Sequence, residues 1–573
     1  MIVYGDRAET VRPRDRLAEL ARALDAVAAM AAGIARHGAL AACFVTLGQI
    51  VQGVADADLE RSGADGGSAA EAALMPVLAA TAGALLASWE SGFQALPPLP
   101  PLPPLPCPED LPETIALRLP EGYAFYGVYP EGYAAAARKL RLAGAPRVIG
   151  IRSIGTGLAA IVAAALEAPP PLTVRPIGHP FDRTIALTPA ADAALIDPSA
   201  HYIVVDEGPG LSGSSFAAVA AFLEERGVSA GRIAFLPSHA GAPGAQASER
   251  TRDRWAAAQR PVVALEELIP PERLAEWVAA LVGPVDTVED ISGGSWRALA
   301  YPGERDWPAI NPMQEKRKFL MQAGGERWLV KFSGVGSVSL DKLHRARLLH
   351  AAGFVPEVRG AVHGFLVQRW IDAASVYRAA GDVVDFAARY LGARARLLPT
   401  AGSGASVEEL FDMAHFNIGQ ALGGAAAAAF ARRHPDRTAL AARVRTVATD
   451  NRCDPHEWLR SPDGRLWKAD ALDHDAAHDL VGAQDLAWDA AGFLAEFDPG
   501  RDRATRFLAD LEAAAGRAID PGLLAFLQPC YLAFRLGAAQ MSADSLGGWP
   551  QEQARNRAAV ARYAAGIADL LGG

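Results

Sequence analysis

Tyr202-Ile203-Val204-Val205-Asp206-Glu207-Gly208-Pro209-Gly210-Leu211-Ser212-Gly213-Ser214-Ser215-Phe216 is the stretch that decides the fold. An apolar, β-branched run ends in two adjacent carboxylates and turns through glycine and proline. It then enters a small-residue loop ahead of residues 217–226, whose composition is helical. Strand, loop and helix in this order make an anion cradle. Backbone N–H groups and the helix N-terminus face the negative charge, while the two carboxylates stay available for hydroxyls or a divalent metal. A sugar phosphate suits that combination.

Working outward, residues 147–151 form a second apolar strand that runs into Arg152-Ser153-Ile154-Gly155-Thr156-Gly157, followed by a helical segment, 158–167. Strand-like segments follow at 172–176 and 184–187, with residues 178–183 between them, and at 232–237 after the helical 217–226. Strands alternating with helices at this spacing predict a doubly wound, largely parallel sheet, with ligands at the carboxyl ends of its strands. Both small-residue loops lie at such ends.

Residues 110–245 resemble a type I phosphoribosyltransferase domain, whose signature is an apolar strand, two acids and a short Ser/Thr-Gly loop opening a helix. The resemblance implies that Asp206 and Glu207 bind the ribose hydroxyls of phosphoribosyl pyrophosphate. It implies that Gly210, Leu211, Ser212, Gly213, Ser214 and Ser215 hold its 5′-phosphate, with the loop starting either after Gly208-Pro209 or at Leu211. Arg152, Ser153, Gly155, Thr156 and Gly157 take the place of the family's pyrophosphate loop. Residues 173–187, with Arg175, His179 and Arg183, match its mobile hairpin. Loss of pyrophosphate puts negative charge on the leaving group, so Mg²⁺ and the cations Arg152, Arg175 and Arg183 suit the chemistry. The four residues Gly208-Pro209-Gly210-Leu211 between acids and serines are one more than is usual, and serines stand where threonine is common.

On the N-terminal side, Leu17, Leu20, Ala21 and Leu24 recur at helix spacing, and residues 13–93 read as a helical region. Asp56 and Asp58 with Gln52 could form a polar site, but a solvated helix face is the preferred reading. The run Pro97-Pro98-Leu99-Pro100-Pro101-Leu102-Pro103-Pro104-Leu105-Pro106 favours polyproline II and reads as a semi-rigid spacer.

Beyond residue 285 the pattern changes. Residues 288–299 read as strand, glycine turn (Gly293-Gly294) and strand. Residues 318–332 read as a hairpin turning at Gly324-Gly325, with Lys331 near the end of its second strand. A helix over 340–352 and a strand over 365–371 follow. This order resembles the small lobe of the aminoglycoside phosphotransferase and choline kinase-like families. The large-lobe match is Asp450-Asn451-Arg452-Cys453-Asp454-Pro455-His456-Glu457, then Asp470, then Asp485-Leu486-Ala487. The resemblance implies that Gly293, Gly294 and Lys331 bind ATP and that Glu457 and Asp470 hold Mg²⁺. Arg452 stands where the family has its catalytic aspartate, and a guanidinium cannot accept a hydroxyl proton. Asp450 or Asp454 is then expected to take that role. The 340–352 helix has no glutamate for Lys331, Asp341 being its nearest acid. His474 and His478 with Asp473, Asp475 and Asp479 read as a polar loop beside Asp470, with metal binding as the alternative. His239, His363 and His415 read as surface or core histidines.

A net charge of −10 with both signs interspersed gives no reason to coat nucleic acid or an anionic membrane. The four cysteines lie far apart without metal-ligand spacing, which fits a reducing compartment, and residues 1–9 show no signal peptide. The apolar stretches 158–168 and 423–431 fall short of the roughly 20 residues a bilayer needs. The expectation is a cytoplasmic, multidomain α/β and α+β protein. It would have a helical N-terminal region (1–95), a Pro-rich linker (96–109) and a phosphoribosyltransferase-like domain with a doubly wound parallel sheet (110–245). A helical connector (246–284), a kinase-like small lobe (285–372) and a large lobe (373–573) would complete a bilobal C-terminal domain. Function follows as a bifunctional transferase using phosphoribosyl pyrophosphate, ATP, Mg²⁺ and a small-molecule acceptor. The alternative is a non-catalytic sensor of the same ligands.

Overall fold

The computed structural model describes residues 1–573 except 6–7, 100, 103–110, 376–380, 399, 401–403, 435, 475–477 and 573. Asp475 and most of the proline run beyond Leu102 therefore lie outside the described residues. Strands are numbered along the chain. A short exposed strand, β1 (Ala8–Val11), pairs antiparallel with β2 (Ile115–Arg118). The parallel sheet consists of β3 (Pro146–Ile151), β4 (Leu172–Val174), β7 (His201–Val205) and β8 (Ile233–Leu236), in the order β4-β3-β7-β8. Between β4 and β7 the chain makes a separate hairpin, β5 (Ile177–His179) with β6 (Asp182–Thr184).

Every residue of β7 is buried. Because side chains alternate along a strand, Ile203 and Val205 join Leu158 and Ile161 of the helix Gly155–Ala165, whereas Tyr202 and Val204 join Val219 and Leu223 of the helix Ser214–Glu225. Both faces are covered, as an unbroken apolar run requires. In chain order the strands run second, first, third, fourth, so the connections diverge between β3 and β7. Ligands of open parallel sheets bind at that point, beyond the carboxyl ends.

The second sheet has the order β12-β13-β11-β10-β9, built from β9 (Val285–Asp290), β10 (Lys318–Ala323), β11 (Glu326–Phe332), β12 (Val358–Val362) and β13 (Phe365–Arg369). Gly324 and Gly325, at φ +60° and +78°, make the two-residue turn between β10 and β11. The strand expected after Gly293-Gly294 is instead a loop and a short helix, Arg297–Ala300. Arg297 is buried there on Glu552 of the C-terminal helix, at 2.8 Å, a long-range pairing that overrides the local strand pattern. The helix Ser337–Ala351 crosses between β11 and β12. The rest is mainly helical, including Gly381–Leu397, Leu486–Phe497, Pro521–Ser545 and Pro550–Gly572.

The cores do not follow the expected boundaries. One continuous apolar cluster joins Leu47 and Leu78 of the N-terminal helices, Leu158 and Ile203 of the parallel-sheet region, and Trp328 and Val367 of the second sheet. A second cluster fills the helical large lobe and includes Val3 from the N-terminus. The helices Ile34–Ser62, Ala69–Glu90 and Pro521–Ser545 are long and apolar enough to cross a bilayer, contrary to the expectation of short stretches only. Polar residues such as Gln49 and Gln52 punctuate the first without ending it. Of the most apolar window in each, 72%, 61% and 61% is buried inside the fold.

Candidate functional site

Two constellations gather the residues singled out above. The first lies at the carboxyl ends of β3 and β7. Asp206 follows β7 directly, its N–H donating to Leu236 O at 3.3 Å and its carbonyl accepting from the Tyr133 hydroxyl at 2.9 Å. Burial pushes the Asp206 carboxyl well above the usual range, Glu207 adds to this, and Arg175 and Arg183 oppose it. Glu207 accepts the Gly122 N–H at 2.9 Å, and burial followed by the charge of Glu121 pushes it up to about 7. A side chain at Gly155 would place its Cβ 2.7 Å from Val205 O, so only glycine brings that helix N-terminus against Asp206.

The loop after the acids has glycines at positive φ at 208, 210 and 213, the last leading into the helix Ser214–Glu225. Leu211 is exposed, and the β5–β6 hairpin closes over the serines. The hydroxyls of Ser214 and Ser212 donate to Pro180 O at 2.7 and 3.3 Å. Thus the hairpin expected to be a lid already lies on the expected phosphate loop. Ser215 is a partly buried residue of the helix's first turn.

The pyrophosphate-loop residues are arranged differently from expectation. The Arg152 side chain is fully buried, with Nε 2.8 Å from Asp56 and Nη2 2.5 Å from Asp65. Arg175 also pairs with Asp56, and its N–H donates to Asp65 at 2.7 Å. Asp56 is therefore not a solvated helix position, because it and Asp65 carry two arginines from the sheet. Asp58 pairs with Arg61. Gly157 packs against Phe44 and Gly48, the hydroxyl of Thr156 is buried without a hydrogen-bond partner, and Ser153 borders a void of about 10 Å³ beside Gln52. The N-terminal helices thus cover this loop. Arg183 keeps a half-buried position in the hairpin, donating to Pro176 O at 3.2 Å.

The second constellation lies between the antiparallel sheet and the helical lobe. β11 delivers Lys331, whose Nζ contacts Asp470 and lies 2.6 Å from Asp473 Oδ2. Burial alone would lower the Lys331 pKa, but Asp470 and Asp473 hold it above the usual lysine value. The other oxygen of Asp473 meets Lys342 at 2.6 Å and also Lys316. Lys342 sits on the helix Ser337–Ala351. The helix, which has no glutamate, thus brings a lysine to this cluster, and the acids on Lys331 are Asp470 and Asp473.

On the facing side, Glu457 accepts from Lys468 at 2.7 Å and lies 3.3 Å from His474 Nε2. Asp450 is almost wholly buried, accepting from the Tyr390 hydroxyl at 2.5 Å and lying 3.3 Å from His474 Nδ1. Burial disfavours a charged His474, yet Glu457 and Asp450 raise it to about 10. The Asp450 and Asn451 N–H groups donate to the Asp489 carboxylate at 2.9 and 3.1 Å, which pins the loop from below. Burial, then the charge of Asp450, lifts Asp489 to about 7. Arg452 pairs with Asp479 at 2.5 Å, and Asp454 is gripped by Arg535 at 2.6 and 3.0 Å. Asp450 is thus an internal anchor, whereas Asp454 lines an open cavity.

That cavity, of about 700 Å³, is bordered by Tyr126, Asp454, Asp470, His474, Arg535 and Arg562. A narrower, more apolar space of about 180 Å³ lies between the lobes, bordered by Leu329, Lys331, Leu366, Leu459 and Asp470. Gly293 borders a third, of about 540 Å³, and Gly294 packs on Ile310 and Arg297. The two constellations approach one another through residues 121–126. Gly122 donates to Glu207, whereas Glu121 and the Tyr126 hydroxyl reach His478 at 3.5 and 3.0 Å. The sequence reading did not single out Lys316, Lys342, Lys468 or Asp489. Lys468 at the end of an apolar strand and Asp489 inside an apolar helix were the available signals, whereas Lys316 and Lys342 stand among other charges.

No known protein family and no curated protein matches this sequence. Among solved structures, it is similar to the choline kinase LicA from Streptococcus pneumoniae. That likeness has 17% identity over 51% of this chain and 98% of that one, with a TM-score of 0.36. A spectinomycin phosphotransferase complexed with ADP and spectinomycin shows 12% identity over 52% and 98%, with a TM-score of 0.35. A choline/ethanolamine kinase family protein from Mesorhizobium loti shows 16% identity over 52% and 98%, with a TM-score of 0.31. Over about half of its length the chain is thus similar to choline kinases and antibiotic phosphotransferases. None of these matches supports the expected phosphoribosyltransferase-like domain.

Proposed function

We propose that the C-terminal half binds ATP with Mg²⁺ between its lobes and transfers the terminal phosphoryl group to a small hydroxylated acceptor. The observation that carries this reading is the convergence of Lys316, Lys331 and Lys342 on Asp473, beside Asp470, at the edge of an apolar slot. Phosphoryl transfer rests on positioning and on cations that face the phosphate oxygens. Asp470 and Glu457 offer the hard oxygen ligands that Mg²⁺ prefers, and the ion would neutralise charge on the transferred group. Asp454, held ionised by Arg535, borders the acceptor cavity and can accept a hydrogen bond from the acceptor hydroxyl. Arg452 cannot, and in this reading it only positions the loop through Asp479.

In the same proposal the parallel-sheet region binds phosphoribosyl pyrophosphate with Mg²⁺ at Asp206, Glu207 and the loop to Ser215. The placement of both acids at the divergence of β3 and β7, ahead of a 12-residue helix, supports it. With Arg152 held internally, Arg183 is the cation left to face a leaving group. Thermal shift separates the two halves. ATP with Mg²⁺ should stabilise the wild type and not Lys331→Ala, and no shift in the wild type sinks the kinase reading. Phosphoribosyl pyrophosphate should stabilise Lys331→Ala but not Asp206→Asn with Glu207→Gln. Stabilisation by both ligands without turnover of any acceptor selects the sensor reading.

A further inference from the structure

His37, Glu131 and His363 come from three separate parts of the chain and meet in the shared core. His37 lies on the helix Ile34–Ser62 and Glu131 on the helix Pro130–Ala137, and His363 lies in the turn between β12 and β13. The side chains of His37 and Glu131 are fully buried and that of His363 is 1% exposed. Both Nε2 atoms converge on one oxygen, Glu131 Oε1, at 3.0 Å from His37 and 3.5 Å from His363. All three ligand-type atoms lie within 4.8 Å of one another.

Hydrogen bonding alone satisfies this cluster poorly. Neither ring nitrogen of His363 has an aligned partner, and Glu131 Oε2 has none either, although all are buried. An unsatisfied buried polar atom costs about 1–3 kcal/mol, so Glu131 Oε2 and the His363 Nε2 that faces the same carboxylate call for a ligand. Two imidazole nitrogens and a carboxylate are a suitable donor set for zinc. Bonds of about 2.0–2.1 Å at tetrahedral angles put ligand atoms about 3.3 Å apart, which is the separation seen around Oε1. His37 also has the outer contact that metal-binding histidines show, and the backbone of His363 is held in place. His37 Nδ1 is 3.1 Å from Ser88 Oγ, so the far side of the ring is oriented. The Tyr129 hydroxyl donates to His363 O at 2.7 Å and holds that residue at φ +37°.

We infer that His37, Glu131 and His363 bind one zinc ion as a structural clasp between the N-terminal helices, the parallel-sheet region and the antiparallel sheet. The site is walled by Trp89, Phe93 and Trp277 and has no solvent-facing position for a reacting water, so its role is structural.

The test is elemental analysis of the full-length, tag-free protein, both as purified and after unfolding in chelator and refolding with Zn²⁺. One zinc per chain is expected, retained in Glu457→Gln and falling below a tenth in His363→Gln and Glu131→Gln. Zinc at one per chain in either folded core variant overturns the inference, as does its absence from wild type by both routes. Should the core variants fail to fold, wild type refolded with Co²⁺ decides. The intense visible absorption of tetrahedral cobalt supports the site, and its absence overturns it.

Discussion

Replacing Glu207 by glutamine tests whether the acid pair at the end of β7 is a cation site kept under electrostatic stress. Glu207 sits at about 7 in the fold against an ordinary 4.5, because it is buried and faces Glu121. Below pH 4.5 both folded and unfolded chains carry the proton, and no penalty exists. As pH rises towards 7 the unfolded chain ionises first, so stability is lost across that window and stays lost above it. The rise from 4.5 to about 7 sets an upper limit of about 3.4 kcal/mol. Glu207 is only partly buried as a residue, so solvent screening reduces the expected gain to roughly 1–2 kcal/mol. Glutamine keeps an oxygen for the Gly122 N–H and removes the charge. Glu207→Gln should therefore melt roughly 1–2 °C above wild type at about pH 8.5 and level with it at about pH 4.5, read by differential scanning fluorimetry. Phosphoribosyl pyrophosphate with Mg²⁺ should close the gap by stabilising only the wild type. A variant that melts lower at pH 8.5, or differs equally at both pH values, refutes the reasoning.

Two further outcomes follow from the ion pairs. Asp65→Asn leaves Arg152 buried with Asp56 as its one remaining ion-pair contact among the described residues, and breaking such a pair costs about 3–5 kcal/mol. A fall in the urea midpoint is expected while the ATP-induced shift persists, whereas an unchanged midpoint contradicts the bolt between the N-terminal helices and the sheet. His474, raised to about 10 by Glu457 and Asp450, contributes stability that is complete below about pH 6.5 and disappears as pH climbs through 10. His474→Gln should flatten the decline in melting temperature between pH 7 and 10, and an unaltered slope would place the proton elsewhere.

The strand–acids–loop–helix order around Asp206 was legible because each part has a local cause. An unbroken β-branched run makes a strand buried on both faces, and the glycines at 208, 210 and 213 occupy positive φ. The turn at Gly324-Gly325 was legible for the same reason. A pattern of neighbours was not enough at Gly293-Gly294, where Arg297 instead reaches Glu552, far along the chain.

Partners decided the rest. Arg152 reads as a free cation in its own loop, yet two carboxylates from a helical region about a hundred residues earlier bury it. Lys331 has no glutamate on the neighbouring helix and takes Asp470 and Asp473 from the other lobe. His363 looks like an ordinary core histidine until the fold sets it beside His37 and Glu131. Backbone conformation follows from residues a few positions apart, so the sequence by itself determined the strands, turns and helix starts. The charge state and role of a buried side chain depend on which distant element covers it, and only the tertiary structure decided that.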